Sequence, residues 1–337
     1  MSNTPVSARP AGWLRGLAGL ALPVAAAATL GTLLAPLAGE WWVGQAFGQL
    51  RPQYAALLLL CLPILALRYR RAGWLAAAPL LVNLAALAPL YLPAAAPAPA
   101  PPPAFTALHY SLGNFNRDFR AAFAYLRGQN ADLLSLQEVT PLVSRQLAQE
   151  LPQYRVVYVW PRRDSHGSAL LLNRAVAWPA AAAGVVHLPE GSRYAAITAT
   201  LTVAGREVAF LGLHLARPLG RSNARLQQAE LAAVAEWSQA QQAAGRSVLI
   251  MGDLNLTPWS DRFRGLLAAG QLLDSGQGFG YQPTWPAAFP PLLSLPIDHA
   301  LHSADLRVVQ RGVGPNLGRD HAPLSLAVAL PEAAAAR

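Results

Sequence analysis

Apolar and polar positions follow two different regimes along the chain. The first 92 residues hold three long apolar runs with charges only before the first and between them. Between Arg15 and Glu40 lie 24 uncharged residues, enough to cross a hydrocarbon core of about 30 Å at about 1.5 Å per helical residue. A second run of 16 uncharged residues separates Arg51 from Arg68. It is short for a span, but arginines at its ends can snorkel toward head groups and lengthen it. Ala72 to Leu92 adds 21 more uncharged residues, with Trp74 and Tyr91 near its ends as interfacial anchors. The pattern predicts about three transmembrane helices in residues 1–92, bilayer contact through residues 16–92, and a loop from Glu40 to Arg51. Two other readings compete. One is a cleaved signal peptide, against which the length of the first run and Pro36 speak. The other is a second run that only dips into the bilayer, which would leave the rest of the chain cytoplasmic.

Residues 93–104 form a Pro/Ala spacer, AAAPAPAPPP from Ala94 to Pro103, whose composition favours extended polyproline conformation. From Phe105 short strand-like runs alternate with helix-like runs, which predicts one α/β domain over 105–331 and a tail at 332–337. Strands are expected at Phe105–Ser111, Asp132–Leu136, Tyr154–Trp160, Ser168–Asn173, Tyr194–Val203, Val208–His214 and Ser247–Met251. Three more are expected near Ile297–His302, Leu306–Gly312 and Leu324–Val328. Helices are expected from an Asn116 cap to Gln129, after Thr140 and Pro141, over Arg221–Ala243, and after Thr257 and Pro258.

Charge follows the same division. The net charge of +9 looks at first like a polyanion binder. Six arginines and one acid, Glu40, fall in the first 104 residues, however, and only +4 remains from Phe105 onward. The high isoelectric point therefore does not imply a nucleic-acid partner. Under the positive-inside rule Arg9, Arg15, Arg68, Arg70 and Arg71 face the cytoplasm, and the large domain then lies outside it. The single cysteine, Cys61, sits in an apolar run, so disulfides and cysteine metal sites are excluded.

Candidate chemistry lies at the ends of apolar strands, where loops aim polar groups into a common cleft. Glu138 follows LLSLQ; a glutamate there can be a solvated turn residue, but directly after a run that should be buried it suits a metal carboxylate. His214 ends VAFLGLH. Asp253 and Asn255 sit in GDLN after SVLIM, on one face of a strand terminus; an Asx turn closing the strand reads equally well. Asp298 precedes His299 in PIDHALHS, and Asp320 precedes His321 in GRDHAPL. The two Asp-His steps suit a histidine whose ring is oriented by a carboxylate. Together the sites offer carboxylates for a hard divalent cation, an acid/base pair and an amide for a phosphate oxygen.

QEV, GDLN, ID and DHAPL, in that order over about Thr106–Leu330, resemble the endonuclease/exonuclease/phosphatase superfamily. With three preceding spans and TWP at Thr284–Pro286, the chain looks like a bacterial membrane-attached branch of it. The resemblance implies an α/β (α+β) four-layer sandwich, two mixed β-sheets flanked by helices, following an N-terminal transmembrane segment. It implies Glu138 as ligand of Mg²⁺ or Mn²⁺ with Asp320 close to the metal, and Asp253 as the base that aligns the attacking water. It also implies Asn255 as the amide on the scissile phosphate, His321 as the imidazole contacting that phosphate, Asp298 as the carboxylate orienting His321, and His214 as a phosphate or leaving-group contact. The family's asparagine late in the first strand is replaced by Ser111; either Asn114 supplies the amide or the serine hydroxyl stands in for a metal or phosphate contact.

The expected function is a membrane-anchored, metal-dependent phosphoester hydrolase acting by in-line attack of water. Its substrate is a nucleic acid or a lipid head group, and its place is the bacterial inner membrane with the domain facing the periplasm. No protein partner is implied. Arg162, Arg163, Arg217 and Arg221 are available to phosphates, and Trp259, Trp285 and Phe289 to a lipid surface or, alternatively, to the core. The competing function is a tethered binding or scaffold domain that keeps the fold without turnover, suggested by Ser111.

Overall fold

The computed structural model describes residues 12–35, 41–92, 102–113, 118–318 and 320–330. Asn114, Asn116, Glu40, Pro36, Arg9, most of the Ala94–Pro103 spacer and the 332–337 tail lie outside the described residues. The chain divides into two compact units, Met1–Ala88 and Pro89–Arg337.

The first unit is helical: α1 (Gly12–Leu34), α2 (Trp42–Gly48), α3 (Arg51–Tyr69), a 3-10 segment (Arg70–Ala76) and α4 (Ala77–Leu87). The stretch expected as a loop between Glu40 and Arg51 thus contains the short helix α2. Small residues Ala21, Ala25, Ala28 and Ala55 are buried at the contacts with Leu58, Cys61 and Leu80, allowing close helix approach. Asn83 bridges the three long helices: its Nδ2 donates to Thr32 Oγ1 at 2.8 Å, and its Oδ1 accepts from Arg51 Nη1 at 3.1 Å. Leu20, Leu30, Leu59, Leu60, Leu75 and Leu81 point outward. Three helical stretches, Trp13–Leu34, Arg51–Tyr69 and Gly73–Leu90, are long and apolar enough to cross a membrane.

The second unit contains two mixed six-stranded sheets. In chain order its elements are β1 (Phe105–Ser111), α5 (Arg120–Gln129), β2 (Leu133–Gln137), α6 (Pro141–Glu150), β3 (Tyr154–Trp160) and β4 (Ser168–Asn173). They continue with β5 (Ala180–His187), β6 (Ala195–Val203), β7 (Arg206–His214), α7 (Arg221–Ala243), β8 (Ser247–Asp253) and α8 (Asp261–Gly270). The last are β9 (Leu272–Asp274), β10 (Asp298–Ser303), β11 (Arg307–Val313) and β12 (Leu324–Ala329). One sheet runs β11-β12-β1-β2-β4-β3 and the other β5-β6-β7-β8-β10-β9. Among the described residues, only β1 with β2 and β7 with β8 pair in parallel.

Alternation along β1 makes the layers. Phe105 and Ala107 join the core between the sheets, with Leu133, Leu170, Phe210, Met251 and Ala300. Leu108, Tyr110 and Leu112 turn to the other face, where Phe119, Phe123, Leu126, Val143 and Leu147 of the α5 and α6 region cover them. Sheet two is covered likewise by Leu231, Val234, Phe263 and Leu266 of α7 and α8. The four layers anticipated from the motifs are present.

Two expected helix starts differ. α5 begins at Arg120. α8 is capped by Ser260, whose hydroxyl accepts from Phe263 N at 3.1 Å, rather than opened by Thr257 and Pro258. Thr257 instead closes a turn, its carbonyl accepting from Ser260 N. Thr140 caps α6 as its sequence predicts, accepting from Val143 N.

Candidate active site

Strand pairing brings three predicted side chains abreast. His214 of β7 lies opposite Asp253 of β8, and Asp253 lies opposite Asp298 of β10. All three are buried, side by side at one end of the central strands of sheet two. Gly252 makes the close approach of β7 and β8 possible: a Cβ there would stand 1.8 Å from the Leu213 carbonyl oxygen. Helix α7 clamps the two loops that follow. Gln227 Nε2 donates to the carbonyls of Ala216 (2.9 Å) and Leu254 (3.2 Å), while Glu230 Oε2 accepts from Ala216 N at 2.9 Å.

His321 enters from the loop before β12. Its Nδ1 donates to Asp298 Oδ2 at 2.7 Å, and its Nε2 stands 3.8 Å from Asp253 Oδ2. The loop is held by Thr284, whose carbonyl accepts from Ala322 N and whose hydroxyl accepts from Asp298 N. Asp320 donates none of its burial to the cluster: it is exposed, and its carbonyl accepts from Ala287 N. His299 points to the opposite face from Asp298, bonded to the Leu256 carbonyl at 2.8 Å and packed on the Phe263 ring, a core residue. Of the two Asp-His steps, then, the working pair joins the aspartate of the first to the histidine of the second.

Asp253 and Asn255 do form the Asx turn, Asp253 Oδ1 accepting from Asn255 N at 2.8 Å. Asn255 adopts a left-handed backbone (φ 53°) and donates one side-chain N–H to the Leu215 carbonyl. The turn and the site are the same feature. Glu138, immediately after β2, is buried in a left-handed conformation of φ 59°. Its neighbour Val139 is braced by Gly167, where a Cβ would meet the Val139 carbonyl oxygen at 2.0 Å. Ser111, at the end of β1, places its hydroxyl 3.5 Å from Asp298 Oδ1.

Electrostatics separate the two histidines beside Asp253. Burial disfavours the charged form of His321, but the carboxylates of Asp298, Asp253 and Glu138 outweigh it and raise its pKa to about 9. His214 is dominated by burial and falls to about 4. Burial, then the charge of Asp298, lifts Asp253 to about 6. For Asp298 burial is outweighed by His321 and His109, which hold it well below the usual carboxylate range. Asp253 Oδ2 and His321 Nε2 are buried and make no hydrogen bond within the protein, and neither does Nδ1 of His214, whose Nε2 stands 3.3 Å from Asp253 Oδ2. Buried polar atoms without protein partners are uncommon, and where several sit beside one another a water, an ion or a reacting group can satisfy them.

Two further groups escaped the sequence reading. His109 on β1 contacts Asp298 Oδ1 at 3.0 Å. His166 stacks on Tyr194 (3.4 Å between centroids) and on His214 (4.8 Å), fixing the plane of the latter ring. His109 had a legible signal: it lies two residues before Ser111 and therefore on the same face of β1.

A family model described as "Endonuclease/Exonuclease/phosphatase family" matches residues 108–325. No curated protein matches the chain significantly. Among solved structures, an endonuclease/exonuclease/phosphatase family protein from Bacteroides thetaiotaomicron is similar at 18% identity and TM-score 0.54, covering 66% of this chain and 97% of that one. A mannosyl-6-phosphatase from the same organism is similar at 17% identity and TM-score 0.54, covering 67% and 100%. Truncated TDP2 from Caenorhabditis elegans is similar at 16% identity and TM-score 0.54, covering 66% and 96%.

Proposed function

The chain belongs to the endonuclease/exonuclease/phosphatase family, whose members are phosphoester hydrolases, and from that premise we propose a membrane-anchored, divalent-metal-dependent phosphoester hydrolase acting outside the cytoplasm. The observation that carries the reading is the convergence of His214 Nε2 (3.3 Å) and His321 Nε2 (3.8 Å) on Asp253 Oδ2, with Asp253 Oδ2 and His321 Nε2 both buried without hydrogen-bond partners.

The donor set suits a hard cation. Glu138 is a buried carboxylate whose charge reaches both His214 and His321. Among the described residues no group of three or more His, Cys, Asp or Glu forms a metal cage, and Mg²⁺ is commonly held by one or two carboxylates with the rest of its shell water. Glu138 would hold the ion, with Asp320 the second candidate. A bound Mg²⁺ or Mn²⁺ would supply neutralisation of charge on the phosphoryl oxygens. The chain's own residues do the rest. Asp253 accepts a hydrogen bond from the attacking water and orients it. His321, an imidazolium at neutral pH by its raised pKa, offers Nε2–H to a phosphoryl oxygen while Asp298 fixes its ring. Asn255 retains one side-chain N–H for the same phosphate, and neutral His214 is a hydrogen-bonding partner for the leaving oxygen. Ser111 hydrogen-bonds Asp298 in this reading, and Asn114 remains the candidate for the missing amide.

A lipid head group is favoured over nucleic acid by one surface. The segment from Trp285 to Ile297 carries no charge. It exposes Phe289 (57%), Leu292 (46%) and Leu293 (59%), and joins the His321 loop through Ala287 N and Asp320 O. Trp259, by contrast, is buried in the core.

The test is turnover by the full-length chain in detergent micelles on bis(p-nitrophenyl) phosphate, phospholipid vesicles and single-stranded DNA, with Mg²⁺ and with EDTA. The expected result is Mg²⁺-dependent hydrolysis, greatest on vesicles, lost in Glu138→Ala. No turnover on any substrate would overturn the enzyme reading in favour of a scaffold, and preference for DNA would overturn the lipid assignment alone.

A further inference from the structure

A carboxylate that orients an imidazole must itself be held, and the structure shows what holds this one. Asp298 gives Oδ2 to His321 at 2.7 Å, so its rotation is set by whatever engages Oδ1. His109 Nε2 lies 3.0 Å from that oxygen, while the Ser111 hydroxyl stands at 3.5 Å, the limit of a hydrogen bond. Asp298 is an acceptor on both oxygens, so His109 must carry its proton on Nε2. The contact crosses from one sheet to the other, between residues 189 apart in sequence. His109 and Asp298 are both fully buried, and His109 Nδ1 has no hydrogen-bond partner.

That arrangement is costly for a residue with a packing role alone. On the inner face of β1 the sequence reads Phe105, Ala107, His109, Ser111, apolar in the core and polar only as the strand nears the site. A buried nitrogen without a partner costs on the order of 1–3 kcal/mol, and an apolar side chain of similar size would avoid it. The one contact that distinguishes His109 from such a side chain is the bond to Asp298.

We infer that His109 is a positioning residue for the phosphoester site: its Nε2–H, reaching across the sheets to Asp298 Oδ1, fixes the carboxylate that orients His321. Neither the rotamer of Asp298 nor the plane of His321 is then left to the loop before β12 alone. The inference rests on the reading of His321 as the phosphate-contacting imidazole, but the hydrogen bond is testable without turnover.

The experiment uses the full-length chain in detergent micelles, with bis(p-nitrophenyl) phosphate and Mg²⁺ as probe, and compares His109→Gln and His109→Leu in the wild-type and Asp298→Asn backgrounds. His109→Leu is expected to lower kcat about 10- to 100-fold with KM within about twofold. His109→Gln, whose Nε2 still donates, is expected to recover most of kcat. In Asp298→Asn the His109→Leu change is expected to add less than about twofold, since paired residues are not additive. In parallel, ¹⁵N-histidine spectra are expected to show His109 protonated on Nε2 and its resonance displaced by Asp298→Asn. Equal damage from Gln and Leu, or full multiplication of the His109→Leu and Asp298→Asn effects, would overturn the proposal. So would an Nδ1-protonated ring, which also decides the matter if His109→Leu fails to fold. A wild-type chain without turnover sinks the hydrolase reading, and the spectra then judge the His109–Asp298 bond alone.

Discussion

Two histidines flank one carboxylate oxygen in opposite charge states. His214 and His321 stand 3.3 and 3.8 Å from Asp253 Oδ2, yet His321 titrates near 9 and His214 near 4. The difference comes from Asp298, which is bonded to His321 and not to His214. At neutral pH one ring is a cation and the other a neutral donor or acceptor, so their replacements should differ. His321→Gln removes a positive charge from the phosphate and is expected to reduce kcat about 10³-fold. His214→Gln exchanges one neutral polar group for another and is expected to cost about tenfold. Steady-state rates of the two variants check this; equal losses would mean both rings act in the same charge state. That Asp253, Asp298 and His321 come together was legible because each ends or opens an apolar run, where a loop end can aim a polar side chain into a common cleft. His109 carried only its two-residue spacing from Ser111 as a signal, because a histidine inside a strand looks like packing until β1 and β10 are known to face each other.

At the scale of elements the energetics concentrate where β7, β8 and α7 meet. Gly252→Ala would drive a methyl group into the Leu213 carbonyl, 1.8 Å from the ideal Cβ position. Backbone cannot rotate away as a side chain can, so the strands must part, at a cost of about 3 kcal/mol and with loss of the His214–Asp253 alignment. Thermal unfolding should show Tm lowered by roughly 10 °C. Glu230 gives the same region a pH dependence. Burial raises its pKa from 4.5 to about 7, opposed by its bond from Ala216 N and by Arg193. A carboxyl that holds its proton more tightly when folded contributes stability that is full below about pH 4.5 and lost as pH rises through about 7. Tm is therefore expected to fall over that window, and Glu230→Gln, which keeps an acceptor for Ala216 N, should flatten the fall. An unchanged slope would place the titration elsewhere. Strands β3 and β4 and helix α7 begin and end where their patterns predict, being bounded by turn residues or by clear periodicity. Strand β5 was missed because AAAAGVVH neither alternates nor carries the bulk that identifies a strand; pairing with β6 makes it one.

For the molecule as a whole, motif order was enough to anticipate two sheets between helices, but not their strand order, because the crossings from β4 to β5 and from β10 to β11 depend on pairings remote in sequence. The membrane arrangement rests on different physics, the distribution of arginine. Arg15 lies in the first turns of α1, and Arg68 in the last turn of α3 with Arg70 and Arg71 directly after it, before the third apolar helix. These two positions are on the same side if all three helices cross, and an excess of arginine keeps short segments cytoplasmic. Three crossings then leave the phosphoester site on the other side. An alkaline phosphatase fused after Arg337, which matures only outside the cytoplasm, is expected to be active, and a cytoplasm-dependent fluorescent reporter at the same place to stay dark. Replacing Arg68, Arg70 and Arg71 with glutamine should weaken the retention of that turn and lower the phosphatase signal. A bright cytoplasmic reporter in the wild-type fusion would instead mean that Arg51–Tyr69, the run whose uncharged stretch is shortest, does not cross, and that the site works on phosphoesters inside the cell.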